Sequence, residues 1–238
     1  MTRMGEPSDV IAIIPAYQAA ASVGAVVRET ARHLPVLVVD DGSTDQTGDA
    51  AREAGAEVLR QQPNRGKGAA LRAGFRAALD GGSRAVLTLD ADGQHDPASI
   101  PAFLEAWETR HAPLIIGRRD FGQMPIIRRL ANELGTLTFS WAVGRRVPDN
   151  QSGYRLIARP LLPLLLESSE PGFEFEVEMI TLAIRAGLAI DWVPIPTIYA
   201  DQGSHIRPVT HVAHFLRVAW RSRRSVRASL ELDVMGDP

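Results

Sequence analysis

The sequence predicts an α/β fold, a mostly parallel sheet flanked by helices, and three observations carry that expectation. Short β-branched runs alternate with segments of helical period through the first half of the chain. The connections between them are short, as in βαβ units. Several runs also end on polar residues, where buried parallel strands deliver side chains to a ligand crevice. The composition agrees: 45% hydrophobic and 23% charged residues over 238 positions suit one soluble globular domain and exclude a disordered, collagen-like or coiled-coil chain. With no cysteine, disulfides, thiolate metal sites and cysteine nucleophiles are also excluded.

Taken in order, Val10–Ile14 is a buried strand that stops at Pro15, and a helix is expected from about Ala20 to His33. Val36–Val39 is the second strand, closed by Asp40-Asp41-Gly42-Ser43-Thr44-Asp45, in which Ser43 or Thr44 can cap a helix to about Ala54. Glu57–Arg60 is a third, weaker strand. Asn64–Leu79 opens on a glycine-rich turn and becomes helical, and Ala85–Leu89 is a fourth strand ending at Asp90. A helix over 97–110 and a strand over 114–117 complete the series. Beyond Gly122 the pattern predicts a long helix, about Met124 to Val143, and a hairpin-like Gly153–Ile157. A helix near 173–187, an edge strand near 190–199 and a basic helix over about 208–226 follow.

A membrane span needs about 20 continuous apolar residues. The longest uncharged stretch, Val10–Val27, is broken by Pro15, Tyr17, Gln18, Ser22 and Gly24, and the N-terminus lacks the pattern of a signal peptide. A cytoplasmic protein is expected, with peripheral contact at the inner face of the membrane left open. The net charge of −2 conceals an asymmetry: residues 114–160 carry eight arginines against three acids and residues 205–238 six against three, leaving −10 on the remainder. A basic C-terminal half suits an anionic partner, although solvated helix faces give the same count.

Asp90-Ala91-Asp92-Gly93-Gln94-His95-Asp96 is the strongest local feature. Two carboxylates at i and i+2, released at a strand end, can turn toward one hard cation, with the Gln94 amide as a third oxygen. Such donors suit Mg²⁺ or Mn²⁺ sites that take further ligands from substrate phosphates. The alternative is an Asp-rich turn; Asp96, before Pro97, reads as a helix cap in either case. Asp40 and Asp41 can accept from a base imide or ribose hydroxyls, though alone the stretch reads as a capping turn. Asn64-Arg65-Gly66-Lys67-Gly68 suggests phosphate binding at a helix N-terminus but lacks the P-loop pattern. His95 reads as structural, His205, His211 and His214 as a helix face, and one of Glu174, Glu176 and Glu178 is placed to face the site. Phe139 and Trp141 are core or membrane-facing anchors.

In this order and at these strand ends, the motifs resemble the family 2 glycosyltransferases of GT-A fold, and within them the dolichyl- and polyprenyl-phosphate sugar synthases. The stretches that carry the likeness are Ile13–Tyr17, Val39–Asp45, Asn64–Gly68, Leu89–Gln94, Gly117-Arg118, Asp149–Arg155, Phe173–Glu178 and Val193–Pro196. The expected organisation is a transferase domain over 1–204 followed by a basic helix and tail over 205–238, packed on or near the domain or facing a membrane. It places Pro15, Ala16 and Tyr17 around the nucleotide base, Asp40, Asp41 and Asp45 near base and ribose, and Lys67, Asp90, Ala91, Asp92, Ser204 and Arg207 on the donor. Asp90, Asp92 and Gln94 would hold the metal; Arg118, Arg128, Arg129 and Ser152 would meet the acceptor phosphate, with Asp92 and Arg118 closest to the chemistry. Two departures stand out: Gln18-Ala19 replaces the Asn-Glu that usually follows the tyrosine, and no stretch matches the C-terminal transmembrane helices of many members.

The expectation is therefore a metal-dependent, inverting transfer of a sugar from a UDP- or GDP-linked donor to a polyprenyl phosphate, with no nucleic-acid partner. A phosphate acceptor is already ionised and needs aligned positive charge, not a general base. A hydroxyl acceptor would need a base, for which Asp149 and Glu178 are the candidates. A nucleotidyltransferase or a non-catalytic nucleotide-binding module are more distant alternatives, the former lacking its glycine-rich basic loop after the first strand.

Overall fold

The computed structural model describes residues 9–120, 122, 126–172, 174–198, 220–224 and 226. Seven strands form one sheet: β1 Val10–Ala16, β2 Val36–Asp40, β3 Glu57–Arg60, β4 Ala85–Thr88, β5 Leu114–Arg119, β6 Arg155–Ala158 and β7 Ile190–Ile195, in spatial order β3-β2-β1-β4-β6-β5-β7. All neighbours run parallel except β6, which lies antiparallel between β4 and β5. Helices α1 Val23–Thr30, α2 Thr47–Glu53, α3 Lys67–Asp80, α4 Ile100–Arg110, α5 Ile126–Val143, α6 Leu162–Leu166 and α7 Glu174–Arg185 accompany it.

Strand alternation divides the core into two layers. Ile14, Val38, Leu87, Ile115 and Leu156 pack with Val26, Val27, Ala51 and Phe103 on one face. Ile13, Val39, Ile116 and Ile157 pack with Leu71, Phe75, Phe139, Leu162 and Phe175 on the other. A sheet covered on both faces needs near-continuous apolar strands, which β1, β2, β4 and β6 supply. At Gly74 a Cβ would stand 2.6 Å from Ile13 Cγ2, so glycine lets α3 seat directly on β1.

Two local expectations are corrected. Residues 153–157 do not form a hairpin: Arg155–Ala158 is a fully buried central strand paired with both β4 and β5. Its partners lie 40 and 70 residues away, and short apolar runs do not reveal non-local pairing. Nor do Ser43 and Thr44 cap α2. The Ser43 hydroxyl accepts from Gln18 N (3.0 Å), Thr44 Oγ1 accepts from Gln18 Nε2 (2.8 Å), and Asp45 accepts from Thr47 N at 3.1 Å. The cap at Asp96 is present, its carboxylate accepting from Ala98 N at 2.9 Å.

Near the C-terminus, Ser222 and Val226 are buried. The Ser222 and Thr181 hydroxyls lie 2.9 Å apart, and Arg221 pairs with Glu170 and Glu178, so this segment docks on α7. Ser204, Arg207, His205, His211 and His214, with most of the basic segment expected over 208–226, lie outside the described residues. Among the described residues no helix is long and apolar enough to cross a membrane.

Candidate active site

The carboxyl ends of β1, β2, β4 and β5 and the start of the antiparallel β6 share one edge of the sheet, because Thr88 at the end of β4 lies opposite Arg155. The chemistry-bearing segments converge there.

At the β1–β2 side the acidic residues organise loops. Asp40 accepts from Ser43 N at 2.9 Å and lies 3.6 Å from Arg60 Nε. Asp41 uses both oxygens on the backbone of the glycine-rich turn, accepting from Arg65 N (2.8 Å) and Gly66 N (2.7 Å). Both carboxylates are buried. Asp45 accepts from Ala20 N and from the backbone and hydroxyl of Thr47. Gln18, at φ 51°, accepts from Thr44 N and Asp45 N with its side-chain carbonyl. The residue that departs from the usual Asn-Glu thus ties two loops together. Tyr17 is half exposed beside them, Pro15 half-buried and Ala16 buried.

The Asp90–Asp96 turn follows β4. His95 is buried, and its Nδ1 accepts from Asp90 N at 3.0 Å, which fixes the neutral tautomer with Nδ1 unprotonated. Burial holds its pKa below the ordinary value, against the pull of Asp90. The imidazole leans on Tyr154, which stacks on Phe103 and donates to Asp96 O. Asp92 accepts from Gln94 N at 2.9 Å and is half-buried; Ala91 is buried and Gln94 exposed. Asp90 meets Lys67, whose Nζ lies 2.5 Å from Asp90 Oδ1 and 2.8 Å from Glu176 Oε1. Burial alone would raise the Asp90 pKa, but the Lys67 ammonium overrides it and holds the carboxyl below its usual range. Burial likewise opposes the charged Lys67, and the two carboxylates keep its pKa well above ordinary. Lys67, expected on a donor phosphate, is here held between carboxylates.

With Asp90 held by Lys67, no group of three or more His, Asp or Glu side chains placed to hold a metal occurs among the described residues, and the oxygens that suit a hard divalent cation are those of Asp92 and Gln94. Asp92 presents a half-buried carboxylate whose second oxygen accepts no hydrogen bond among the described residues, with the Gln94 amide two residues on. A Cβ at Gly93 would meet nothing within 4 Å, so the turn has open space around it.

On the basic side, Arg119 makes a bidentate pair with buried Asp149, Nε to Oδ2 at 2.8 Å and a terminal nitrogen to Oδ1 at 3.0 Å. Asp149 also accepts from Gln151 N and Ser152 N. Arg118, its neighbour on the strand, is exposed. Arg129 is engaged with Glu133 one turn along α5 at 2.8 Å, and the Arg128 side chain lies outside the described residues. Among the described residues, the hydroxyl of buried Ser152 and the amide nitrogen of buried Asn150 have no hydrogen-bond partner. Sequence reasoning gave no role to Arg119 or Arg155; strand alternation after Gly117 was the available signal for the first, and the second closes the Asp149–Arg155 stretch that carries the likeness. Of the three glutamates, Glu176 faces the site, whereas Glu178 bonds Ser168 and Arg221 on another side of α7.

Known proteins resemble this chain over most of its length. Residues 11–160 match the family model described as Glycosyl transferase family 2. An undecaprenyl-phosphate mannosyltransferase of Micrococcus luteus is 35% identical over 209 residues, covering 82% of this chain and 85% of the relative. A UDP-N-acetylglucosamine–dolichyl-phosphate N-acetylglucosaminyltransferase of Methanococcus voltae is 29% identical over 215 residues, covering 79% and 85%. Among solved structures, glucosyl-3-phosphoglycerate synthase of Mycobacterium tuberculosis with Mn²⁺, UDP and glucosyl-3-phosphoglycerate superimposes with a TM-score of 0.66 at 23% identity, covering 97% of this chain and 81% of that one.

Proposed function

The chain belongs to glycosyl transferase family 2 and is a glycosyltransferase of GT-A fold, and from that premise we propose that it moves a sugar from a nucleotide-sugar donor to a polyprenyl phosphate with a divalent cation bound at Asp92. The observation that carries the acceptor assignment is the engagement of both candidate bases. Asp149 is buried in a bidentate pair with Arg119, and Glu178 is bonded to Ser168 and Arg221 away from the crevice. A hydroxyl acceptor would lack the base it needs, whereas a phosphate arrives ionised and requires positive charge and donors. Exposed Arg118 supplies the charge, and the unsatisfied Ser152 hydroxyl and Asn150 amide are donors that a phosphate would satisfy. Both the polyprenyl-phosphate and dolichyl-phosphate relatives support the same class of acceptor.

In the proposed reaction the acceptor phosphate oxygen attacks the anomeric carbon as the nucleoside diphosphate departs, a single displacement that inverts the centre. Mg²⁺ or Mn²⁺, when bound, supplies charge neutralisation for the departing diphosphate. Asp92 and Gln94 would hold it, Asp90 would buttress the turn, and Tyr17 with the loops fixed by Asp40, Asp41, Asp45 and Gln18 would form the nucleotide side. A UDP or GDP donor is proposed, the sugar being set by contacts beyond these residues.

Ligand stabilisation follows mass action. UDP or GDP is expected to raise the melting temperature with Mn²⁺ present and to leave it unchanged in EDTA; equal shifts in both would contradict the metal assignment. Arg118→Ala is expected to lower transfer to polyprenyl phosphate by about 10- to 150-fold without changing nucleotide binding, as one charge-assisted contact is worth roughly 1.5–3 kcal/mol. Arg129→Ala, which breaks only an exposed helix pair, is expected to cost less than about fivefold. Unchanged transfer in Arg118→Ala would remove Arg118 from the acceptor phosphate.

The surface of α5 suits peripheral contact with anionic lipid. Leu134, Leu137 and Trp141 recur at i, i+3 and i+7 and are each at least 60% exposed. The Arg223 guanidinium sits 3.8 Å from the Trp141 ring centroid, exposed Trp220 lies three residues away, and Arg145 and Arg146 follow the helix. Apolar anchors ringed by arginine favour a negatively charged interface. The protein is expected to float with anionic vesicles and not with neutral ones, and Leu134→Glu/Leu137→Glu to abolish flotation. Flotation unaffected by that double change would remove α5 from the contact.

A further inference from the structure

Lys67 begins α3, Asp90 follows β4 and Glu176 lies in the first turn of α7, so the ion-paired cluster they form joins three elements distant in sequence. A lysine at the first position of a helix stands against the positive end of the dipole, and only nearby carboxylates make that placement favourable. The cluster is built with little tolerance. A Cβ on Gly153 would stand 2.7 Å from Glu176 Oε1, 3.0 Å from Lys67 Nζ and 3.1 Å from Asp90 Oδ2. Behind it, buried Arg155 donates to Glu176 O and Ser152 O.

We propose, building on the metal-dependent reading above, that Lys67 is a built-in counter-cation, held against Asp90 by Glu176, that sets how much negative charge the Asp90–Asp92 turn offers a divalent cation. The charges support this. Lys67, Arg119 and Arg155 balance Asp90, Asp149 and Glu176, and His95 is neutral, so Asp92 is the uncompensated charge of this group. Charges a few ångströms apart in a poorly solvated site interact strongly enough that removing one changes cation affinity about tenfold or more. Glu176 is then a positioning residue, acting on the metal turn through Lys67. Without its second partner, Lys67 would be left to neutralise Asp90 alone.

The cluster charge of Lys67, Asp90 and Glu176 is −1 in the natural protein. It becomes −2 in Lys67→Met, zero in Glu176→Gln, and −1 again in the double variant. Mn²⁺ binding in the absence of nucleotide, followed by the electron paramagnetic resonance of free Mn²⁺, should follow that order. Lys67→Met is expected to bind about tenfold more tightly than the natural protein, Glu176→Gln about tenfold more weakly, and the double variant within about threefold of natural. Loss of packing alone would shift all three in one direction. Thermal melts accompany each variant; should Lys67→Met fail to fold, the weakening in Glu176→Gln and its recovery in the double variant carry the test. The proposal is overturned if Mn²⁺ binds but the order is absent, or if Lys67→Met weakens UDP binding and leaves Mn²⁺ affinity unchanged, which would place the ammonium on the donor. Failure of the natural protein to bind Mn²⁺ even with UDP would instead overturn the metal reading, and this inference with it. No arm contains an acceptor, so the lipid-phosphate reading stands or falls separately.

Discussion

Asp92→Asn is expected to lower sugar transfer by about 10²- to 10³-fold or more while moving the melting temperature by no more than about 2 °C. The substitution preserves shape, and the asparagine carbonyl can still accept from Gln94 N, the one hydrogen bond Asp92 makes among the described residues. What is lost is the negative charge beside the departing diphosphate, where a single preorganised electrostatic contact is worth roughly 3–4 kcal/mol in the transition state. Asp90→Asn should behave differently. It removes one of the two partners of the half-buried Lys67, so activity and stability should fall together. Steady-state transfer with a thermal melt of each variant separates the two. An Asp92→Asn protein with near-natural activity would show that the metal is held elsewhere.

The second large effect is on stability. Arg155 is fully buried in β6 and donates to Ser152 O at 2.8 Å, Glu176 O at 2.5 Å and Asn150 O at 3.3 Å. Burial pushes its pKa down, opposed by Glu176, Asp149 and Asp90. Arg155→Met fills much of the same volume but removes a charge-assisted donor from three carbonyls and leaves three acids with one cation fewer. Losses of roughly 1.5 kcal/mol or more for each charge-assisted bond put the cost at about 4 kcal/mol or above. For a chain of this size that corresponds to a fall in melting temperature of about 8–16 °C. The loop over 149–153 should loosen as well, so activity should fall even at temperatures where the variant is folded. A melting temperature within about 2 °C of natural would mean that water replaces the guanidinium.

The fold was readable wherever local pattern decides it. The runs at Val10, Val36 and Ala85 and the polar residues closing them mark parallel strands and their ligand edge, because strand burial and strand-end chemistry are both written locally. The place of β6 was not readable, since a four-residue apolar run carries no record of its partners. Within the site, Asp90, Asp92 and Gln94 share a turn and announce themselves by spacing. Glu176 could be narrowed only to one of three alternating glutamates, the choice depending on which side of α7 meets Lys67. Arg155 inside a strand, and Arg119 rather than Arg118 against Asp149, depend on contacts across 20 to 30 residues. Asp40 and Asp41 at the end of β2 show the converse: a motif legible as nucleotide-binding whose carboxylates also accept from backbone amides of the chain's own loops.

The most direct test of the central claim supplies radiolabelled nucleotide sugars, UDP- and GDP-linked, with Mn²⁺ and either a polyprenyl phosphate or the corresponding free polyprenol. Labelled lipid is expected with at least one donor, from the phosphate alone, lost in EDTA and cut about 10- to 150-fold in Arg118→Ala. Equal labelling of the free alcohol would contradict it, because the fold would then have to contain a general base that its ion-paired carboxylates do not provide.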